Sequence, residues 1–290
     1  MSFLSLSIKL SVVLPAKNEA ATVGIVVAAI KALHSTAQII VVNDGSNDNT
    51  ADIATQAGAD VITHPYSKGN GAAIKSGARA ATGDVIVFMD ADGQHNPEDI
   101  ADLLAELEQG YDLVVGARQA GSQANLGRGM ANGFYNKLAT YMTGHQVGDL
   151  TSGFRAVRAE KFREFLYLLP NGFSYPTTST MAFFRAGYSV KYVPIHAAPR
   201  EGKSHIKPLK DGMRFLLIIF KIGTLYSPLK LFTPAAALFF LMGIGWYGYT
   251  FTVMNRFTNM SALMLTSGFM LFMMGLISEQ ITALMYKNEK

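Results

Sequence analysis

Two long stretches without a charged residue lie near the C-terminus and limit what this chain can fold into. They cover residues 231–254 and 260–278, with a short polar link between them. A helix needs about 20 apolar residues to cross the hydrocarbon core of a bilayer. We therefore predict a hairpin of two transmembrane helices; a buried pair of helices in a soluble protein is the alternative.

Basic residues around the two stretches predict the orientation of the hairpin. Residues 200–230 carry seven Lys or Arg against two acids, Lys287 and Lys290 follow the second stretch, and the link carries only Arg256. Cytoplasmic loops of membrane proteins carry the excess of Lys and Arg. We expect an integral protein of a bacterial or archaeal-type plasma membrane, with its N-terminal part and its C-terminus in the cytoplasm.

A shorter apolar segment at residues 211–227 precedes the hairpin. It is too short to cross a bilayer and carries Arg214 and Lys221, which is typical of an amphipathic helix in the headgroup layer. A packed helix of a soluble domain is the alternative. The predicted division is a cytoplasmic domain at residues 1–204, an interfacial region at 205–228 and the hairpin with a short tail at 229–290.

Composition excludes several classes of protein. The 290 residues include no cysteine, which excludes disulfide scaffolds, iron–sulfur clusters and cysteine nucleophiles. Hydrophobic residues make up 49% and charged residues 16%, which excludes a disordered chain. The net charge is +4, and the excess lies beside the apolar stretches, so we expect a membrane partner and no nucleic acid.

Residues 8–195 alternate short β-rich runs with helical ones. The predicted strands are 10–14, 38–42, 61–63, 85–89 and 113–116, and the predicted helices are 22–33, 50–57, 71–81 and 97–108. This alternation predicts an α/β fold with a mostly parallel sheet and helices on both faces. Ligands of such sheets bind beyond the carboxyl ends of the strands.

Acidic side chains stand at three of these strand ends. Glu19 follows the first strand, Asp44 the second, and Asp90 and Asp92 the fourth. Turn formation or helix capping explains one Asp at a strand end, but two carboxylates one residue apart repel each other unless a cation lies between them. Hard oxygen ligands with open positions suit Mg²⁺ or Mn²⁺, usually shared with a substrate phosphate.

Six stretches of the N-terminal part together resemble glycosyltransferase family 2. Within that family they resemble the polyprenyl-phosphate hexose synthases, the group that includes dolichol-phosphate mannose synthase. They are VVLPAKNE at 12–19, VVNDGS at 41–46, KGNGAA at 68–73, DADGQH at 90–95, DLTSGFR at 149–155 and REGKS at 200–204. The resemblance implies a GT-A fold, which is Rossmann-like and binds nucleotide sugars.

The resemblance also implies the ligands of the donor. Pro15, Glu19 and Asp44 would contact the nucleoside, while Asp90, Asp92 and Gln94 would hold the metal on the diphosphate. Asn43 and Gly93 stand where many relatives have other residues. The nucleotide of the donor, UDP or GDP, and its sugar, glucose or mannose, therefore stay open. The candidate nucleotide-sugar ligands are Pro15, Glu19, Asn43, Asp44, Lys68 and Asp90.

Lys68 begins a glycine-containing stretch that opens a predicted helix. The lysine would add a cation near the phosphates, and the backbone N–H groups after Gly69 and Gly71 would add donors. A tight turn with close helix packing explains these glycines equally well.

The acceptor is predicted from the scarcity of acids between residues 121 and 200. A sugar hydroxyl needs a carboxylate base, and Asp149 is the only plausible one there. A lipid phosphate is largely a dianion at neutral pH and needs cations instead. The candidate acceptor-phosphate ligands are Arg118, Arg128, Arg155, Arg200, Lys203 and Ser204, and the candidate catalytic residues are Asp92, Asp149 and Arg118.

The sequence thus predicts metal-dependent transfer of a hexose from a nucleotide sugar to polyprenyl phosphate at the cytoplasmic membrane face. Inversion is expected because no dedicated nucleophile is present. The alternatives are a membrane-docked nucleotide-sugar-binding or scaffolding protein without catalysis, and a family 2 transferase with a hydroxyl acceptor. Gly268 and Gly275 predict helix packing in the hairpin, through which a homo-oligomer could form.

Overall fold

The computed structural model describes residues 8–118, 126–172, 174–196, 220 and 223–287. It divides into two compact units, one ending at Lys203 and the other beginning at Ser204. Most of the predicted interfacial region, 205–228, lies outside the described residues. The same holds for three predicted acceptor ligands, Arg200, Lys203 and Ser204.

The first unit is built on a seven-stranded sheet. Its strands are β1 (Leu10–Ala16), β2 (Gln38–Asn43), β3 (Asp60–Thr63), β4 (Val85–Phe88), β5 (Leu113–Arg118), β6 (Arg155–Arg158) and β7 (Val190–Ile195). Their order across the sheet is β3-β2-β1-β4-β6-β5-β7. Neighbouring strands are parallel except at β6, which is antiparallel to β4 and β5. The predicted α/β class is confirmed.

Helices cover both faces of this sheet, as the alternation predicts. The described helices of the unit are α1 (Val23–Leu33), α2 (Thr50–Gln56), α3 (Asn70–Ala80), α4 (Asp99–Glu108), α5 (Leu126–Thr143), α6 (Ala159–Arg163) and α7 (Tyr175–Arg185). Helices α1, α2 and α4 share a buried cluster with Val12 and Leu14 of β1. Helix α3 packs on Val13, whose side chain points to the opposite face.

The topology gathers the chemical groups at one edge of the sheet. Strands β1, β2 and β4 are parallel, so the loops that follow them lie at the same edge. Because β6 runs the other way and pairs Arg155 with Phe88, the residues that precede β6 reach this edge too. Loops after three strands and the loop before a fourth therefore surround one site.

The second unit contains two long helices, α8 (Pro228–Met254) and α9 (Asn259–Lys287). By length and composition both could cross a membrane. They meet at glycines: a Cβ added at Gly243 would lie 2.9 Å from Leu265, and one added at Gly268 would lie 2.9 Å from Phe240. A Cβ at Gly275 would likewise lie 2.9 Å from Phe232. The expected packing role of Gly268 and Gly275 is confirmed.

We expect Gly77→Ala to lower the free energy of unfolding of the first unit by about 1–3 kcal/mol, because overpacking displaces well-packed elements. A Cβ at Gly77 would lie 2.3 Å from Cγ1 of Val13, so α3 would have to move off β1. Chemical denaturation followed by circular dichroism measures the change.

Gly133→Ala on α5 is the matched control, since nothing lies within 4 Å of a Cβ at that position. Replacing an exposed helical glycine by alanine stabilises a helix by up to about 1 kcal/mol. Equal stabilities of the two variants would contradict the packing assigned to Gly77.

Candidate active site

The loop after β4 carries the two carboxylates of the predicted metal site. Asp90 and Asp92 are both half-buried, and the backbone N–H of Gln94 donates to Oδ1 of Asp92 at 3.2 Å. The Thr22 hydroxyl donates to the carbonyl oxygen of Ala91 at 2.7 Å. This contact fixes the backbone between the two carboxylates from the loop after β1.

The oxygen ligands of this loop fit a metal that is shared with a substrate. Within the described ranges, no group of three His, Cys, Asp or Glu side chains could hold a metal ion. Magnesium usually takes one or two protein carboxylates and completes its shell with waters and substrate phosphates, and manganese accepts the same ligands. Asp90, Asp92 and the amide oxygen of Gln94 offer oxygen atoms of this kind, and their binding of a metal stays a prediction.

Gly153 brings the loop before β6 against Asp90. A Cβ at this position would lie 3.2 Å from Oδ2 of Asp90 and 3.4 Å from the hydroxyl of Tyr175. That hydroxyl donates to the carbonyl oxygen of Gly153 at 3.0 Å. The absence of a side chain at residue 153 therefore allows two loops to meet beside the predicted metal ligand.

Arg118 and Asp149 form a bidentate ion pair at the same edge. Nε of Arg118 lies 2.8 Å from Oδ2 of Asp149, and Nη2 lies 3.1 Å from Oδ1. The backbone N–H groups of Thr151 and Ser152 also donate to Oδ1. Burial alone would raise the pKa of Asp149, but the hydrogen bonds and charge of Arg118 and the donors of Thr151 hold it below its usual value.

These contacts make Asp149 a poor general base. A carboxylate with a lowered pKa, whose oxygens already accept several hydrogen bonds, has little tendency to take a proton. Burial opposes the charge on Arg118, but the hydrogen bond and charge of Asp149, with a contribution from Asp90, raise the pKa of Arg118. The Arg118 side chain is 29% exposed, so Asp149 orients a cation that can still face a ligand.

Arg155 is not placed where it could bind an acceptor phosphate. Its side chain is fully buried, and Nη1 donates to the carbonyl oxygen of Pro176 at 2.9 Å and to Oγ of Ser179 at 2.8 Å. Nη2 donates to the carbonyl oxygen of Ser152. The enclosed guanidinium ties the loop before β6 to α7 and does not reach a phosphate in solvent. Arg128 lies in the first turn of α5, and its side chain is outside the described part.

Asp44 holds the loop that precedes α3. Its Oδ1 lies 2.7 Å from Nδ1 of His64 and accepts from the backbone N–H of Lys68. Its Oδ2 accepts from the hydroxyl of Ser67 and from the N–H of Gly69. Burial opposes ionisation, but these hydrogen bonds prevail and lower the pKa of Asp44 to about 2. In this structure Asp44 organises the side of the site where the nucleoside is predicted to bind.

The other predicted nucleoside ligands lie at the same edge. Pro15 is in β1, the backbone N–H of Glu19 donates to Thr50, and the side-chain oxygen of Asn43 accepts from the N–H of Ser46. The structure thus brings the residues after β1 and β2 together. Their contact with a nucleoside stays a prediction.

Packing accounts for the glycines that open α3. The N–H of Gly71 donates to the carbonyl oxygen of Gly172, and a Cβ at residue 71 would lie 1.9 Å from the carbonyl oxygen of Pro170. The N–H of Ala72 donates to the backbone carbonyl oxygen of Asn171. These donors are therefore not directed at a phosphate. The exposed ammonium of Lys68 lies 5.8 Å from the ring centroid of Tyr66 and stays a candidate cation.

Sequence reasoning missed His64 and Thr22, which support Asp44 and the loop of Asp90. His64 directly follows β3, at the edge where β1, β2 and β4 also end, so the strand-end pattern applies to it too. Thr22 carries no comparable signal, because its partner is a backbone carbonyl distant in sequence.

Two protein-family models match the chain. Residues 11–166 match Glycosyl transferase family 2, and residues 227–284 match the GtrB C-terminal hairpin. The first match covers the strands and loops of the site, and the second covers α8 and most of α9.

Curated relatives extend along most of the chain. Glycosyltransferase AglJ of Haloferax volcanii is 27% identical over 93% of this chain and 92% of its own length. The undecaprenyl-phosphate 4-deoxy-4-formamido-L-arabinose transferase of Yersinia pestis is 30% identical over 85% of this chain and 75% of its own length.

Solved structures share the fold. Glucosyl-3-phosphoglycerate synthase from Mycobacterium tuberculosis, in complex with Mn²⁺ and UDP-glucose, is 25% identical, with a TM-score of 0.58, over 75% of this chain and 78% of its own. A structure of the same synthase contains Mg²⁺ and UDP and has the same identity and TM-score. The predicted GT-A fold is confirmed.

We expect Asp44→Asn to destabilise the first unit by about 2 kcal/mol at pH 7. The pKa of Asp44 is about 2 in the folded protein against an ordinary value of 3.8, so its contribution is complete above pH 4 and is lost as the pH falls towards 2. Denaturant unfolding between pH 7 and pH 3 should therefore show a shallower acid loss of stability for the variant.

Glu108→Gln, at the exposed end of α4, is the control and should change stability by less than about 0.5 kcal/mol. If Asp44→Asn matched this control at pH 7, Asp44 would not hold the loop.

Proposed function

Because the chain belongs to glycosyl transferase family 2 and is a glycosyltransferase, we propose that it transfers a hexose from a UDP- or GDP-sugar to polyprenyl phosphate. The observation that carries the proposal is the bidentate pair of Arg118 and Asp149 beside Asp90. This pair provides an oriented cation. It also ties up, in an ion pair with Arg118, the Asp149 carboxylate that a hydroxyl acceptor would need as a base.

The acceptor chemistry follows from this pair. An ionised lipid phosphate attacks the anomeric carbon with one of its oxygens, so no proton has to be removed first. Arg118 would bind and orient that phosphate through the edge of its guanidinium that Asp149 leaves open. The Yersinia pestis relative is an undecaprenyl-phosphate transferase by name, which supports the same class of acceptor here.

The donor side needs stabilisation of the departing diphosphate. A divalent ion, held by Asp90, Asp92 and Gln94, would supply it as a Lewis acid when bound. The Mn²⁺ and Mg²⁺ in the structures of the Mycobacterium tuberculosis synthase support this reading. Lys68 would add a positive charge near the phosphates, and the loops around Glu19 and Asp44 would position the nucleoside.

The apolar helices support a membrane location for the reaction. Helices α8 and α9 could span a bilayer, and the basic residues of 200–230 favour the cytoplasmic side for the first unit. We retain the division into a catalytic domain at 1–204, an interfacial region at 205–228 and a hairpin at 229–290 as part of the proposal.

The direct test uses the purified full chain in detergent with a panel of UDP- and GDP-sugars. We expect transfer to polyprenyl phosphate and none to the neutral prenol, because the prenol hydroxyl would need a base. Product isolated for NMR should have the anomeric configuration inverted, since a single displacement inverts the carbon. Transfer to the prenol would favour a hydroxyl acceptor, and retained configuration would exclude a single displacement.

We expect Asp92→Asn to lower turnover by at least about 100-fold while the circular dichroism spectrum stays unchanged, because loss of a charge-stabilising group costs this much. Asp102→Asn, on the exposed face of α4, is the matched control and should stay active. Near-normal turnover of Asp92→Asn would show that the reaction does not depend on a metal ion held by Asp92.

A further inference from the structure

Asn136, on α5, holds the backbone on both sides of Asp149. Its Nδ2 donates to the carbonyl oxygen of Gly148 at 2.7 Å, and its Oδ1 accepts from the N–H of Leu150 at 3.1 Å. A side-chain amide has its donor and its acceptor at different atoms, so one orientation of Asn136 satisfies both bonds. The two residues that flank Asp149 in the chain are thus tied to one helix by one side chain.

Helix α5 is itself packed in the protein. Its buried face has the helical spacing i, i+4 and i+7 and consists of Tyr135, Ala139 and Met142. Thr140 lies one turn after Asn136, and its hydroxyl oxygen accepts from the N–H of Val147. The same helix therefore binds the loop before β6 at two places, and Asn136 makes the contact that adjoins the ion pair.

The loop also contacts β7 at Gly148. A Cβ at this position would lie 3.1 Å from Cγ of Tyr192, so the backbone lies directly against the tyrosine ring. The loop cannot move towards β7 without a clash. Asn136 provides directional hydrogen bonds at a place where packing alone limits movement in one direction.

The contact of Asn136 reaches Arg118 through Asp149. The carboxylate of Asp149 accepts from both Nε and Nη2 of Arg118, and a bidentate pair needs both of its oxygens at hydrogen-bond distance. A displacement of the Asp149 backbone would therefore turn the guanidinium. Helix α5 also carries Arg128 in its first turn, so the helix with one predicted acceptor cation is bonded to the loop that orients another.

We propose that Asn136 is a positioning residue for the acceptor, which acts through Asp149 to hold the Arg118 cation where the acceptor phosphate binds. The inference rests on the proposed function. A hydrogen bond that served stability alone would weaken the fold without a preference for either substrate. A positioning role instead affects the acceptor and leaves the nucleotide unaffected, because the predicted donor groups follow β1, β2 and β4.

Steady-state kinetics of the full chain in detergent test the proposal, with polyprenyl phosphate and the nucleotide sugar that the wild-type protein uses. Asn136→Leu keeps a side chain of similar size but removes the donor and the acceptor. We expect KM for polyprenyl phosphate to rise about threefold to tenfold, which corresponds to one lost hydrogen bond. KM for the nucleotide sugar and Kd for the nucleoside diphosphate should stay unchanged. Asn136→Ala, a smaller residue with the same loss, should show the same pattern.

A double-mutant cycle with Arg118→Lys separates positioning from a general loss of structure. Lysine keeps the charge but cannot form the bidentate pair. If Asn136 acts through this pair, Asn136→Leu in the Arg118→Lys background should change KM for polyprenyl phosphate by less than about twofold. Gln56→Ala, which removes an exposed amide at the end of α2, is the control and should change KM in neither background.

Hydrogen exchange followed by mass spectrometry tests the loop without any acceptor. The backbone N–H groups of residues 150–152 all donate to side chains, so a peptide covering 148–152 is expected to be protected. In Asn136→Leu this peptide should exchange at least about tenfold faster, because the loop opens locally. A peptide covering β1, residues 10–16, should be unchanged and shows that the fold is intact.

Three results would overturn the proposal. They are unchanged exchange of residues 148–152, an equal loss of affinity for the nucleotide and the acceptor, and the same factor for Asn136→Leu in both backgrounds of the cycle. Failure of the wild-type protein to glycosylate polyprenyl phosphate would instead reject the proposed function. The exchange experiment would then still decide whether Asn136 holds the loop of Asp149.

Discussion

Strand β6 runs antiparallel to both of its neighbours, and this reversal brings residues 149–154 to the edge where β4 and β5 end. A parallel strand at the same place would send this loop to the opposite edge. Asp149 would then not reach Arg118, and Gly153 would not reach Asp90. The site is therefore a consequence of one strand direction in an otherwise parallel sheet.

The charges of the site are arranged so that each carboxylate has a defined task. Asp149 and Asp44 are buried, accept several hydrogen bonds and have lowered pKa values, so they hold loops and do not exchange protons near neutral pH. Asp90 and Asp92 are half-buried, and a divalent ion bound between them would balance their charge. A site with these properties suits an acceptor that arrives already ionised.

Sequence patterns predicted the apolar strands well, because runs such as the one ending at Phe88 have a strong β-type composition. They did not indicate β6, whose four residues include Arg155 and Arg158, or β7, whose apolar run is interrupted by Lys191 and Pro194. The sequence did not indicate the burial of Arg155 either. Its partners Ser179 and Thr180 lie 24 and 25 residues away, and no local pattern marks them. The strand-end rule found Asp44 and Asp90 and applies equally to His64, which follows β3 and supports Asp44. Thr22, which supports the loop of Asp90, is marked by no local pattern, because its partner is distant in sequence.

The proposed acceptor also explains why an apolar hairpin accompanies this site. A polyprenyl phosphate stays in the bilayer, so a soluble enzyme would have to find it from bulk solution. Helices α8 and α9, if they span the membrane, tether the catalytic unit at the same surface, and tethering raises the effective concentration of one partner for the other without any new contact. The cation at Arg118 then needs to supply only orientation and modest affinity. A weakly binding, oriented phosphate site is sufficient for such an enzyme, and it allows the glycosylated lipid to leave after transfer.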